Sequence, residues 1–359
     1  MRKLETVIKS IQPVDHRFLT EAQDRLDSLT KPRGSLGYLE EAGKQLAAIR
    51  RTTQPEIKEK VVIVMAADHG VTAEGVSAYP REVTSQMIHN FITGGAAINV
   101  LARHIGAKII LVDMGVAEDI ESAPGLLDMK VDYGTRNMIT GPAMTYEQAL
   151  LSLERGIEVV EKQAAASPID ILGTGDMGIG NTTASSAIIA AFSDLPIEAV
   201  SGRGTGIDDE TLERKIECIK QALDLNQPDI SDPVDVLAKV GGFEIGGIAG
   251  CILSAANLGI PVVVDGLISS AAALLAYKIQ PLVNDYIFAG HQSVEIGQTV
   301  VLKELNKIPL LDLNMRLGEG TGAALAIHIL EASAKVLSEM ATFKEAGVSQ
   351  ENKKSKTKS

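Results

Sequence analysis

A chain of 359 residues with 45% hydrophobic, 22% charged and only 3% aromatic side chains is long enough for one large core and a smaller one, and its composition is that of a globular α/β protein. Its net charge of -12 excludes a polyanionic partner such as nucleic acid, which selects basic faces. Cys218 and Cys251 are too few for a disulfide framework, and neither has a second cysteine or a histidine at metal-ligand spacing, so a reducing cytoplasmic setting is expected.

The first fifty residues read as helices, with Phe18, Ala22, Leu26 and Leu29 on one stripe and the Lys31-Pro32-Arg33-Gly34 turn as its stop. The charged start MRKLETVIKS leaves no uninterrupted apolar stretch for a secretory signal. A second helix is expected from about Leu36 to Arg51. The run VVIVMAA at 61–67 then has the length and branching of a buried parallel strand. Short strands are expected again at 109–115, 169–173, 197–202, 261–266 and 286–290, mostly separated by helical segments. Gly246 to Ala276 is the most membrane-like stretch. Asn257, Pro261 and Asp265 break it below the ~20 apolar residues a span needs, so it reads as a buried helix, strand and helix.

This succession predicts an α/β fold: a mainly parallel, doubly wound sheet with helices on both faces and ligands at the carboxyl ends of the strands. A small helical domain is expected from the two terminal segments. Residues 1–58 and 319–346 would form it, 59–318 the large substrate-binding domain, and 347–359 a lysine-rich disordered tail.

Three Gly-rich loops can carry chemistry. In the first, Gly173 to Thr183, glycines let backbone N–H groups approach an anion at a helix N-terminus, which suits a phosphate. It also satisfies G-x-G-x-x-G, but the segment that follows, IEAVSG, ends in Ser201 and Gly202 rather than in the acid a dinucleotide ribose requires. Tight strand-to-helix packing is the structural alternative. The second loop, Ser201 to Gly206, precedes Asp208 and Asp209. That acidic pair invites comparison with the ribose-binding acids of pyrophosphate-dependent phosphoribosyltransferases, yet it follows glycines rather than a strand, and Asp208 reads as a helix N-cap. Lys215, one to two turns on, can reach an anion or remain a solvated charge. In the third loop, Leu313 to Gly322, Glu319 stands between two glycines before a helix and reads equally as a terminal charge or a catalytic base. Asp68 and His69 are adjacent on extended chain and point to opposite faces, so loop-fixing hydrogen bonds are favoured over a dyad. His291, Ser293 and Glu295 form a turn that reads as structural when taken alone.

The motifs LTKPRGSLGYLE, AADHGVTAEGVSAYP, GGAAINVLAR, GTGDMGIGNTTASSA, GRGTGID, GGFEIGGIAG, PVVVDGLISSAAALLA, GHQSVE and LNMRLGEGTGAALA run in that order from about residue 29 to residue 335. In this order they resemble the nicotinate-nucleotide:dimethylbenzimidazole phosphoribosyltransferase family of cobalamin lower-ligand synthesis. The resemblance implies transfer of the phosphoribosyl group of nicotinate mononucleotide to 5,6-dimethylbenzimidazole or a related base. It implies Glu319 as general base, and Asp176, where the family often has glutamate, as the acid near the reacting sugar. It further implies Gly175, Gly178, Lys215 and Ser293 for phosphate and ribose, Tyr79, Gln86, Met87 and Leu317 for the base, and a homodimer. No cofactor or metal is expected, because nicotinate leaves from a pyridinium and no pyrophosphate has to be bridged. A pyrophosphate-type phosphoribosyltransferase and a non-catalytic nucleotide-binding protein are the competing readings.

Overall fold

The computed structural model describes residues 2–204 and 206–349 of the chain. Seven strands form one sheet: β1 (Lys60–Ala67), β2 (Lys108–Gly115), β3 (Leu126–Asp128), β4 (Ile171–Met177), β5 (Val262–Val264), β6 (Ile287–Gln292) and β7 (Pro309–Asp312). Every pairing is parallel, in the order β3-β2-β1-β4-β5-β6-β7. The sheet is thus wholly parallel where a mainly parallel one was expected. β1 lies inside the sheet, between β2 and β4, and its residues from Val61 to Ala67 are all buried, as a strand covered on both faces requires. It pairs Val62 with Ile109 of β2 on one side and with Gly173 of β4 on the other.

The Gly246–Ala276 stretch forms a helix (Phe243–Asn257), β5 and a second helix (Leu267–Ile279), almost entirely buried. Among the described residues no helix is long and apolar enough to cross a membrane.

One expected strand is absent. Residues 197–202 form a 3-10 turn, Ile197–Ala199, followed by loop. Asp194, Leu195, Pro196, Glu198 and Ala199 are exposed, Pro196 offers no N–H to a ladder, and the place beside β4 is taken by β5. The sequence reading also missed β3 and β7. Both are short edge strands whose residues are half-buried or exposed, and β7 begins on Pro309, which is tolerated at the first position of an edge strand.

The chain divides into two compact units. The large one comprises the described residues up to Pro13 together with Lys58–His328, so the first helix, Lys3–Ser10, belongs with the sheet rather than with the helices that follow it. There Gln280 Nε2 donates to Ile8 O and the Tyr286 hydroxyl donates to Gln12 O. The small unit comprises Val14–Ile57 and the described residues from Ile329 on. Its core is Ala22, Leu26, Leu29, Ala47 and Leu337, the first three on the stripe read from the sequence. The tail expected to be disordered lies, from Gln350 on, outside the described residues.

Candidate active site

The carboxyl ends of β4, β5 and β6 and the loop after β7 border a cavity of about 530 Å³. This is where a parallel sheet leaves backbone groups and loops free to meet a ligand. The strand order matches that of dinucleotide-binding sheets, with its switch point between β1 and β4. The glycine fingerprint, however, runs through the end of β4, with Gly173 and Gly175 inside the strand and Gly178 just beyond it, instead of following β1. After β1 comes Asp68-His69 and a 3-10 turn, Gly70–Glu74, so a dinucleotide's pyrophosphate has no first-turn cradle here.

Glu319 sits on the cavity wall, 5% exposed, in left-handed backbone with φ 63° between Gly318 and Gly320, both at φ 87°. For a residue with a Cβ that conformation costs about 1–2 kcal/mol, so the surroundings must hold it. The Glu319 N–H donates to Asp176 O at 3.3 Å, and Glu319 Oε2 accepts the Ile98 N–H at 3.1 Å. Ile98 lies in the first turn of the helix Ala97–Ile105, whose free N–H groups favour a carboxylate. Burial pushes the Glu319 carboxyl above its usual range; the Ile98 hydrogen bond opposes this and the neighbouring Asp265 charge adds to it.

Asp176, at the end of β4, is also 5% exposed and faces the cavity. Its Oδ2 accepts from Asn181 Nδ2 at 2.9 Å, whereas its Oδ1 is buried without a protein partner. Burial raises this carboxyl well above the ordinary range, with Asp265 and Glu244 adding to the effect, Asn181 opposing it and Glu319 contributing a smaller rise. The wall therefore gathers carboxyl groups that disfavour one another's ionisation. Asp68 and His69 hold loops, as their opposed directions suggest. Asp68 Oδ2 accepts the Ala117 N–H at 2.8 Å, and His69 Nε2 meets Glu244 Oε1 at 2.6 Å. Burial pulls the His69 imidazole down, but the Glu244 charge and hydrogen bond outweigh it and leave it above its ordinary value.

Of the ten candidate residues, Asp176, Glu319, Gly178, Ser293, Tyr79, Met87 and Leu317 line this one cavity, and Gly175, Lys215 and Gln86 do not. Gln86 is exposed on the helix Val83–Thr93. Lys215 is fully buried behind the wall. Its Nζ donates to Thr182 Oγ1 at 3.0 Å and to Gly202 O at 3.1 Å, and burial lowers the ammonium to about 8 against the pull of Glu295. The two glycines make room for protein backbone. A Cβ on Gly175 would stand 2.5 Å from Glu319 O, and one on Gly178 would stand 2.4 Å from Ala67 O. Asp208 is the N-cap that its sequence suggests: it accepts the Thr211 N–H at 2.9 Å in front of the helix Asp209–Asn226.

The sequence reading missed Asp265, Asn181, Thr182 and Arg316, although all four lie in segments it considered. Asn181, Thr182 and Arg316 line the cavity, and Asp265 stands just after β5. An acid ending an apolar strand, as in VVVDG, was the available signal for Asp265. Among the described residues no three His, Cys, Asp or Glu are grouped as a metal site would need.

A family model described as phosphoribosyltransferase matches residues 11–348. The nicotinate-nucleotide-dimethylbenzimidazole phosphoribosyltransferase of Geobacter sulfurreducens is 56% identical over 350 residues, covering 98% of this chain and 99% of its own. The enzyme of the same name from Chloroflexus aurantiacus is 54% identical with the same coverage. A crystal structure of the enzyme from Thermus thermophilus superposes with a TM-score of 0.89 at 47% identity, over 94% of this chain and 100% of that one.

Proposed function

The chain belongs to the nicotinate-nucleotide-dimethylbenzimidazole phosphoribosyltransferase family, and from that premise we propose that it transfers the phosphoribosyl group of nicotinate mononucleotide to 5,6-dimethylbenzimidazole or a related base. The products are nicotinate and α-ribazole 5′-phosphate, the nucleotide of the cobalamin lower ligand. The observation that carries this reading is the buried Glu319 carboxylate on the cavity wall, next to an Asp176 oxygen without a partner.

In the proposed reaction one ring nitrogen of the benzimidazole attacks C1′ on the face opposite nicotinate. The glycosidic C–N bond breaks and its electron pair neutralises the pyridinium, so the anomeric centre inverts. The acceptor's other N–H becomes acidic as the new bond forms, and Glu319 takes that proton. Its raised pKa suits the task, since a base is most effective when its pKa approaches the working pH. Asp176 stands on the wall where positive character develops at C1′; its burial disfavours the carboxylate, and the developing cation is what favours that ionised form during transfer. Thr182, Ser293 and Gly204 border the same cavity and are suited to the phosphoribosyl end, with Lys215 acting on Thr182 from behind. Tyr79, Met87 and Leu317 supply apolar surface for the base. The position of Asp208 as an exposed helix cap argues against a pyrophosphate donor.

Purified protein given nicotinate mononucleotide and dimethylbenzimidazole in EDTA should release both products, identified by liquid chromatography and mass spectrometry. No product, or product only from a ribose pyrophosphate with magnesium, would overturn the reading. The same proposal includes a cytoplasmic homodimer. Exposed Val294, Ile296, Leu313 and Leu317 support the dimer; they come from the turn and helix start after β6 and from the loop after β7, tied by the Val294 N–H to Met315 O hydrogen bond. Light scattering at micromolar concentration should give twice the chain mass, and a fully active monomer would reject it.

A further inference from the structure

Glu319 is useful as a base only if three successive residues, Gly318, Glu319 and Gly320, stay in left-handed backbone. The ties within the loop are few. The Thr321 N–H and hydroxyl both return to Gly318 O, at 3.1 and 2.8 Å, and outside the loop the Glu319 N–H reaches Asp176 O on β4 at 3.3 Å. The stronger restraint comes from another strand. Asp265, fully buried just after β5, uses both carboxylate oxygens on this segment: Oδ2 accepts the Gly320 N–H at 3.1 Å and Oδ1 accepts the Ala323 N–H at 2.9 Å. It grips the residue next to the base and the first turn of the helix Thr321–Glu339 at once, with His291 Nε2 3.8 Å from Oδ1 on its other side.

We propose that Asp265 is a positioning residue for the transfer reaction, fixing the Glu319 loop to the end of β5 so that the base meets the acceptor's N–H in register. This rests on Glu319 being the base. The chemistry explains why an aspartate stands there. Two N–H groups diverging from a helix start need two acceptor atoms on one short, rigid side chain, and an anion is favoured at that helix end. Asparagine has the same size but only one acceptor oxygen, so its NH2 group must oppose one of the two N–H donors. An ordinary helix cap would contribute stability alone. A clamp on the base adds a dependence of rate on Asp265 that exists only while Glu319 is present.

That difference is measurable in the full-length chain. Asp265→Asn, Glu319→Gln and the double variant are compared for kcat, for nicotinate mononucleotide affinity by calorimetry, and for melting temperature. Displacing a catalytic group by about 1 Å costs ~10²-fold in rate, so Asp265→Asn should lower kcat by about that factor while donor affinity stays within about threefold. In the Glu319→Gln background the same change should slow turnover by less than about threefold, because residues acting as one unit are not additive. An equal loss in both backgrounds, or wild-type kcat in Asp265→Asn, overturns the proposal while leaving a slow Glu319→Gln to uphold the base. Wild-type kcat in Glu319→Gln removes the base itself, and the clamp with it. If Asp265→Asn does not fold, Asp265→Ser, smaller and still an acceptor, answers by the same cycle. Loss of cooperative melting in both variants makes Asp265 a general structural residue and overturns the proposal equally.

Discussion

Alanine at Gly175 perturbs the site without touching any polar group. Gly175 lies inside β4, paired with Val64 of β1, and is not among the glycines in left-handed backbone, so the β4 conformation accepts a Cβ. Space is what is missing. The added carbon would stand 2.5 Å from Glu319 O, 2.6 Å from Glu319 C and 2.8 Å from Gly320 N. The shortest of these is about 0.9 Å inside the 3.4 Å at which ordinary van der Waals contact begins. β4 is held between β1 and β5 in a buried sheet, whereas the Glu319 backbone sits in a loop, so the loop should yield. A catalytic constellation tolerates roughly 0.5 Å, and a displacement near 1 Å costs about 10²-fold in rate. Steady-state transfer to dimethylbenzimidazole should therefore show kcat lowered by about 10²-fold in Gly175→Ala, with calorimetric affinity for nicotinate mononucleotide within about threefold of wild type. Were Gly175 there to admit the phosphate to backbone N–H groups, affinity would fall first and kcat would hold. That result, or unchanged kinetics in a variant of wild-type melting temperature, would refute the steric argument.

Glu319→Gln keeps size and loses the proton acceptor, so kcat should fall by about 10²–10⁴-fold with donor affinity retained, and a stopped assay that finds wild-type turnover would remove the base. The wild-type kcat profile should lose activity as pH falls through the raised Glu319 pKa, placing the acid limb above the ordinary glutamate value of about 4.3; a limb at or below that value would contradict the role of burial. Asp176→Asn should slow the reaction yet stabilise the fold at alkaline pH. The Asp176 carboxyl is raised in the folded state, so its stabilising contribution is present below the unfolded pKa and is lost as pH rises through the folded one. The variant should melt higher than wild type at pH 8, by about 2 °C or more, with the gap closing towards pH 4; a gap that is constant or reversed would refute the assignment.

The parts of the fold legible in the sequence are those where burial is symmetric. The run at 61–67 and the PVVVDG segment are apolar without alternation because both faces of a central strand are covered, and no competing structure satisfies such a run so well. At the edges the same rule fails. Leu126–Asp128 and Pro309–Asp312 carry too few buried side chains to differ from loop, while IEAVSG has the composition of a strand in a place where the sheet has no vacancy. Propensity describes what a segment tolerates. The sheet's neighbours decide whether it is used.

The site divides along a similar line, between the group a motif exposes and the groups that hold it. Glu319 was legible as a candidate because a carboxylate stands between glycines before a helix, a spacing that fits a helix-terminal charge equally well until the family resemblance is added. Its partners were not: the Ile98 N–H arrives from 221 residues earlier in the chain, and the Asp265 carboxylate, 55 residues before Gly320, belongs to a strand end read only as an interruption of an apolar run. Glycine is the most ambiguous signal of all. Its hydrogen records that something approaches closely, without recording what. At Gly175 and Gly178 the approaching atoms are the carbonyls of Glu319 and Ala67, so the loop that reads as a phosphate cradle is first a seat for the Glu319 loop and for the end of β1. The phosphate-binding role proposed for this wall consequently falls to the polar groups beside those glycines, Thr182 with Lys215 behind it and Ser293 across the cavity.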